Sequence, residues 1–250
     1  MKGDISMKKP IIIAHRGASA YAPENTLSSF QKALEMKAGG IEIDVHLTKD
    51  GYPVVVHDEK LGRTCNGTGF IKEKTLEELK ELDFGSWFSP EFANEKIPTL
   101  KETMDLIADK NILFNIEIKN GPIFYPGIEK VVVDMVRMYN MSENVIVSSF
   151  NHYSLAEVKN IAPEIKIGLL YSAGLYNPWE YAKMVGAEAI HPFYMSIHPE
   201  AVKMCNDNGI LVNPYTINNP EHMQLALLAG VDGIITNYPD IALNIVEGVG

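Results

Sequence analysis

The chain has 250 residues, of which 46% are hydrophobic and 22% charged, a composition that supports a sizeable buried core and excludes a disordered chain. Its formal net charge is −10 and no Lys/Arg run exceeds the pair Lys8-Lys9, so it offers no track for nucleic-acid phosphates, and an anionic ligand must be attracted locally.

Residues 1–6 precede a second methionine, Met7, and read as a vector remnant or a short natural extension without chemistry. Ile11–Ala14 is the first strand candidate, followed directly by His15, Arg16 and Gly17, with Gly17 permitting a sharp turn. Leu27, Phe30 and Leu34 then share one helical face. Ile41–Val45 is the second strand. Asp-Gly at the centre of Lys49-Asp50-Gly51-Tyr52 predicts a two-residue hairpin turn, so that Val54–His57 returns antiparallel, with Asp44 facing His57 and Thr48 facing Pro53.

The stretch that follows holds a short helix, 75–82, and the aromatic run Phe84-Gly85-Ser86-Trp87-Phe88. It is too small for a core of its own and predicts a lid beside the mouth. Thr99 and Glu102 make a capping box for the next helix. Strands Ile112–Ile118, Val145–Ser149, Lys166–Tyr171, Glu188–His191, Ile210–Pro214 and Asp232–Thr236 complete the set, the last four starting 22 residues apart. Without the return strand eight remain, the number that closes a barrel. The whole chain, 1–250, therefore reads as one α/β domain, a (β/α)8 TIM barrel with a hairpin and small lid-like insertion, 50–98, after the second strand.

Cys65 and Cys205 are the only cysteines, which favours two reduced or buried thiols over a disulfide framework. No apolar stretch approaches the roughly 18 residues of a membrane span, and Ile11-Ile12-Ile13 is too short for a signal peptide, so a cytoplasmic chain with no stable membrane insertion is expected.

Side chains two apart on a strand share a face, so Glu42 with Asp44, and Glu117 with Lys119, point the same way. Charged groups facing a barrel interior are costly unless paired or metal-bound. One such pair is commonplace; two on adjacent strands bring three carboxylates and a lysine to the rim where barrel enzymes place their sites. Hard oxygen donors without clustered His or Cys suit a divalent Mg2+ or Ca2+. His15 and His57 converge on this cluster with Arg16, a set suited to phosphoryl chemistry. His46, His152, His198 and His222 read as surface or satisfied core residues, and His191 as a structural or substrate-touching one.

His-Arg-Gly (15–17), Pro-Glu-Asn-Thr (23–26), Glu-Ile-Asp-Val (42–45), Asp-Gly-Tyr-Pro-Val-Val-Val-His-Asp (50–58), Ile-Pro-Thr-Leu (97–100), Glu-Ile-Lys (117–119) and Ser-Ser-Phe (148–150) occur in this order. Together they resemble the glycerophosphodiester phosphodiesterase family over nearly the whole chain. The resemblance implies hydrolysis of a small-molecule glycerophosphodiester to glycerol 3-phosphate and an alcohol. It implies Glu42, Asp44 and Glu117 as metal ligands, His15 and His57 as the acid/base pair, and Arg16 and Lys119 as phosphate contacts. Phe150 and Tyr215 are expected beside the substrate.

The chain departs from the family pattern at Tyr215, where many relatives carry tryptophan, and at Asn237, where they carry aspartate. Both positions are expected to bear on leaving-group preference more than on the chemistry. Two other readings remain: a lysophospholipid-cleaving relative entered past Trp87, Phe88 and Tyr215, and a barrel that binds phosphodiesters without turnover. Oligomeric state is not specified.

Overall fold

The computed structural model describes residues 9–248, so the extension 1–6 lies outside the described residues. In chain order the elements are β1 (Ile11–His15), α1 (Leu27–Glu35), β2 (Gly40–Leu47), β3 (Pro53–Val55), α2 (Leu76–Lys80), α3 (Leu100–Ile107), β4 (Leu113–Ile118), α4 (Ile128–Met138), β5 (Val145–Ser149) and α5 (His152–Ile161). They continue with β6 (Lys166–Tyr171), α6 (Pro178–Val185), β7 (Ala189–Pro192), α7 (Pro199–Asp207), β8 (Leu211–Val212), α8 (Pro220–Ala229), β9 (Gly233–Thr236) and α9 (Pro239–Glu247).

The strands neighbour one another in the order β8-β7-β6-β5-β4-β2-β1-β9, and every one of these pairs is parallel. The two ends of that order meet: the Asp232 N–H donates to Val212 O at 2.9 Å and the Ile235 N–H to Pro214 O at 3.1 Å. Eight parallel strands thus form a TIM barrel ringed by helices, as the alternating pattern predicts. β8 is shorter than expected because Pro214 has no N–H to give, although the Tyr215 N–H still pairs with Pro192 O at 3.0 Å. No helix among the described residues is long and apolar enough to cross a membrane.

Capping boxes at Thr26, Thr75 and Thr99 start α1, α2 and α3, each satisfying donors that a helix N-terminus leaves open. Outward residues of the strands, Ile41, Ile43, Val45, Ile116 and Ile118 among them, pack with the helices in one large apolar core. The barrel interior is more polar. His191 and Asn213 fill it at 3.2 Å from each other, and glycines opposite make the room. A Cβ on Gly168 would stand 2.7 Å from His191 Nε2, and one on Gly233 2.6 Å from Asn213 Oδ1. Cys65 and Cys205 are buried, free thiols.

Two local expectations need correction. β2 and β3 pair as Val45–Val55, His46–Val54 and Leu47–Pro53, one residue out of the expected register, so neither Asp44 with His57 nor Thr48 with Pro53 is a cross-strand pair. The cause is the turn. Gly51 takes a left-handed φ of +86° and its N–H returns to Thr48 O at 3.1 Å, while the Thr48 N–H reaches Tyr52 O at 3.0 Å, which makes a three-residue loop. The second correction concerns the segment after the hairpin. It closes around a satellite core of Leu61, Ile71, Leu79, Phe84 and Ile97, anchored on Val54 and Val56 of the return strand.

Burial alone lowers the His191 pKa to about 3, so the folded state holds the ring neutral while the unfolded chain takes up a proton near 6.5. Stability from this ring is therefore full above pH 6.5 and is lost as pH falls from there toward 3. In urea unfolding of the wild-type protein and His191→Asn, the gap in unfolding free energy should narrow by about 1.4 kcal/mol per pH unit below that point. A pH-independent gap would contradict the neutral, buried ring.

Candidate active site

β2 and β4 lie side by side with Glu42 beside Asn115 and Asp44 beside Glu117, so the period-two alternation stacks all four side chains inside the barrel near its C-terminal end. Glu42, Asp44 and Glu117 are buried, and one carboxylate oxygen from each lies within 4.8 Å of the others. Like charges that close disfavour one another. Burial, then Asp44 and Glu117, push Glu42 well above the usual carboxylate range, and burial raises Glu117 against the pull of Lys119. Burial opposes ionisation of Asp44 too, yet Lys119, Arg16 and His57 hold it well below the ordinary value.

The cluster fits a divalent cation. Asp44 Oδ1 and Asn115 Oδ1 are buried oxygens without a hydrogen-bond donor, and with the carboxylates of Glu42 and Glu117 they offer the hard donors such an ion takes. Lys119 Nζ flanks them, donating to Glu117 Oε1 at 2.8 Å and standing 3.5 Å from Asp44 Oδ1.

The loop after β1 supplies the other cation. Arg16 has a left-handed φ of +56°, which directs its N–H to Glu42 Oε2 at 2.9 Å while its guanidinium reaches Asp44 Oδ2 at 3.3 Å and Glu24 Oε1 at 2.8 Å. Gly17 follows at φ +80°, where a Cβ would stand 2.4 Å from Ser29 Oγ, so the turn onto α1 admits glycine alone. Asn25 also has positive φ, and its amide grips Asp44 twice: Nδ2 donates to Oδ2 at 2.8 Å and Oδ1 accepts from the Asp44 N–H at 3.3 Å.

The two histidines have different partners. His15 Nδ1–H donates to Asn237 Oδ1 at 2.7 Å, which leaves Nε2 as the acceptor, and burial with the adjacent Arg16 lowers its pKa to about 3. Asn237, one of the two positions that depart from the family pattern, therefore touches His15 directly. His57 lies just beyond β3 and is half exposed. Its Nδ1–H donates to Asp58 Oδ1 at 2.6 Å, and Asp58 Oδ2 accepts from Arg63 Nε at 2.6 Å. Arg63 forks onto Glu24 at 2.7 and 2.8 Å, which ties the insertion to the loop carrying Arg16. The register slip does not remove His57 from the site: it lies just past the paired residues, and Asp58 and Arg63 link it to Glu24 and so to Arg16.

Tyr215 lines a small cavity with His15, Glu42, Asn115 and Glu117, and its ring meets Phe150 edge to face at 5.8 Å. A larger cavity of about 490 Å3 runs from Glu117 and Lys119 to Phe124, Phe150 and Tyr153. His191 is sealed in the barrel interior. His46 is a satisfied core residue: Nε2–H donates to His57 O and Nδ1 accepts from Tyr125 OH, both at 2.9 Å. His152 is likewise paired, with Tyr181 OH and Leu170 O. Asn25, Asn115, Asp58, Arg63 and Glu24 were missed as site residues. Asn115 could have been found by the period-two rule that selects Glu117; Asn25 sits in a motif whose role the strand pattern leaves open.

The match to the glycerophosphoryl diester phosphodiesterase family model spans residues 15–241. The chain is 52% identical to a glycerophosphodiester phosphodiesterase of Caldanaerobacter subterraneus subsp. tengcongensis, over 97% of this chain and 100% of that protein. A second, of Bacillus subtilis, is 37% identical over 99% of this chain and 90% of its own length. Among solved structures, an Oleispira antarctica phosphodiesterase in complex with the product sn-glycerol-3-phosphate superposes with a TM-score of 0.88 at 32% identity, covering 95% of this chain and 97% of that one. The Thermotoga maritima glycerophosphodiester phosphodiesterase gives 0.79 at 31% identity, covering 95% and 99%. With a matching barrel, a carboxylate cluster at its mouth and this similarity along nearly its full length, the chain belongs to the glycerophosphoryl diester phosphodiesterase family of hydrolases.

Proposed function

We propose that the protein hydrolyses small glycerophosphodiesters to glycerol 3-phosphate and an alcohol with Mg2+ or Ca2+ bound by Glu42, Asp44 and Glu117. The observation that carries this reading is the packing of three buried carboxylates against Lys119 and Arg16 at the barrel mouth. The cation supplies positive charge for the non-bridging phosphate oxygens. Arg16 and Lys119 add to that field and orient the diester, with Phe150 and Tyr215 as the wall beside it. The insertion, 50–98, forms the other wall and brings His57.

The hydrogen-bond partners support a division of labour between the histidines. His15 faces a neutral amide, which suits an uncharged ring with a free Nε2 lone pair, so His15 takes a proton from the attacking nucleophile, either water directly or the glycerol 2-hydroxyl, whose cyclic phosphate water then opens to glycerol 3-phosphate. His57 hands its Nδ1–H to a carboxylate, which suits a ring carrying a proton on each nitrogen, so His57 gives one to the departing alcohol.

Release of glycerol 3-phosphate from glycerophosphocholine should vanish on chelation and return when Mg2+ or Ca2+ is added back, because the clustered carboxylates need a cation between them. Full turnover by metal-free protein would remove the metal from the reading, and no release under any metal would remove the activity.

His57→Ala should lose about 100- to 10,000-fold on glycerophosphocholine and far less on a p-nitrophenyl diester, whose leaving group needs no proton. His15→Ala should be impaired on both. Equal loss for His57→Ala on the two substrates takes away its acid role, and rescue of His15→Ala by the activated diester alone reverses the pair.

Asn237→Asp should restore a carboxylate behind His15 and raise that imidazole by about one pKa unit or more. Because His15 must be deprotonated to act, the acid limb of kcat/KM should move to higher pH by the same amount. An unmoved limb would mean that His15 does not set it.

A further inference from the structure

Glu24 belongs to the loop after β1 and Asp58 to the insertion, and a single side chain, Arg63, holds both. Its guanidinium uses two edges. Nε donates to Asp58 Oδ2 at 2.6 Å and Nη2 to Asp58 Oδ1 at 3.2 Å, while Nη1 and Nη2 donate to Glu24 Oε2 and Oε1 at 2.8 and 2.7 Å. Such a grip needs N–H groups fanned out in one plane, which arginine has and lysine lacks. An isolated ion pair on a half-exposed side chain contributes little, but here one cation separates two carboxylates that would otherwise repel one another across its place.

The backbone under Arg63 is fixed on both sides. Leu61 and Cys65 are buried in the satellite core, the Leu61 N–H donates to Gly69 O at 2.9 Å, and Lys60 bridges Phe70, so the turn that bears Arg63 is a closed loop seated on that core. The satellite core thus sets where the guanidinium stands, and the guanidinium sets where Asp58 stands. Asp58 has no other tether. Among the described residues its carboxylate accepts only from Arg63 and from the His57 ring, and that ring hydrogen-bonds nothing besides Asp58. Burial works against the Asp58 charge, yet Arg63 and then His57 hold its pKa at about 2, so the ring faces a carboxylate at neutral pH.

We propose that Arg63 is a positioning residue for the leaving-group proton: by fixing Asp58 it aims the His57 ring, and by gripping Glu24 it holds the insertion that carries His57 against the loop that carries Arg16. The inference rests on the reading of His57 as the acid and adds the residue through which the insertion's own core acts on the reaction. A histidine that protonates a departing alcohol must keep its Nε2–H directed at that oxygen, and a ring held by an untethered neighbour samples other rotamers. Arg63 pairs with Asp58 and Glu24 and with none of the groups proposed to hold the metal or the phosphate, so its removal should spoil aim and leave binding.

The test uses Arg63→Met and Asp58→Asn in the full chain with Mg2+ or Ca2+ present, each alone and combined with His57→Ala, on glycerophosphocholine and on a p-nitrophenyl diester. Each substitution should lower kcat on glycerophosphocholine about 10- to 100-fold while KM moves less than about threefold, and should lose far less on the p-nitrophenyl diester. Added to His57→Ala, neither should lower the residual rate further, because no ring remains to be aimed. Undiminished turnover by Arg63→Met, additive loss in the His57→Ala background, or equal loss on the two diesters would overturn the proposal, the last by placing the action of Arg63 at Arg16. Loss of the cooperative urea transition in either variant would also overturn it, since the clasp would then be a structural one. Absent glycerol 3-phosphate release by the wild type, or equal loss for His57→Ala itself on the two substrates, strikes the reading of the site. The expected His57→Ala pattern beside an unaffected Arg63→Met strikes this inference alone.

Discussion

Three carboxylates pressed together inside a barrel cannot all stay ionised without positive charge among them, and much of this molecule follows from that requirement. Glu42, Asp44 and Glu117 have oxygens within 4.8 Å of one another and little access to water. Lys119 and Arg16 supply two fixed cations, and the donor set leaves room for a third, divalent one. The loop after β1 is shaped by the same need. Arg16 and Asn25 both accept left-handed backbone so that one can reach Glu42 and Asp44 and the other can hold Asp44 from its second side. Strain of that kind persists only where neighbouring contacts over-determine it, and here they do.

Around the cluster, the charges form a chain that joins separate elements. Arg16 and Arg63 share Glu24, Arg63 and His57 share Asp58, and His46 fixes the His57 carbonyl from within the core. The insertion is thereby tied to the first strand's loop by charge-assisted hydrogen bonds as well as by its satellite core. His57 is positioned from outside the barrel and His15 from inside it, by Asp58 and Asn237 respectively.

Much of the architecture was legible because two periodicities carry it. Alternation along β2 and β4 is enough to aim Glu42, Asp44 and Glu117 inward, and apolar residues three and four apart mark the helices outside. What escaped was information that does not lie in periodicity. The hairpin register depends on whether Gly51 enters a two- or three-residue loop, a choice between turn geometries that the same Asp-Gly allows. Asn237 reads as a rim residue until the barrel closes and brings it beside His15, 222 positions away in the chain. Arg63 and Glu24 likewise meet only once the insertion has folded back.

The uneven placement of charge at the mouth has a consequence for how such a barrel can change. The three clustered carboxylates, their two cations, His15 and His57 all come from the segment ending at Lys119, whereas the mouth loops from 120 onward present mainly amide, hydroxyl, aromatic and apolar groups, Asn237 against His15 among them. Those later loops hang from strands whose hydrogen-bonded ladders do not depend on the side chains at their tips. The carboxylate cluster and most of the wall beside it thus sit on separate stretches of one polypeptide. Side chains on the later loops can therefore be exchanged without disturbing the first half, whose charges hold one another in place by mutual neutralisation.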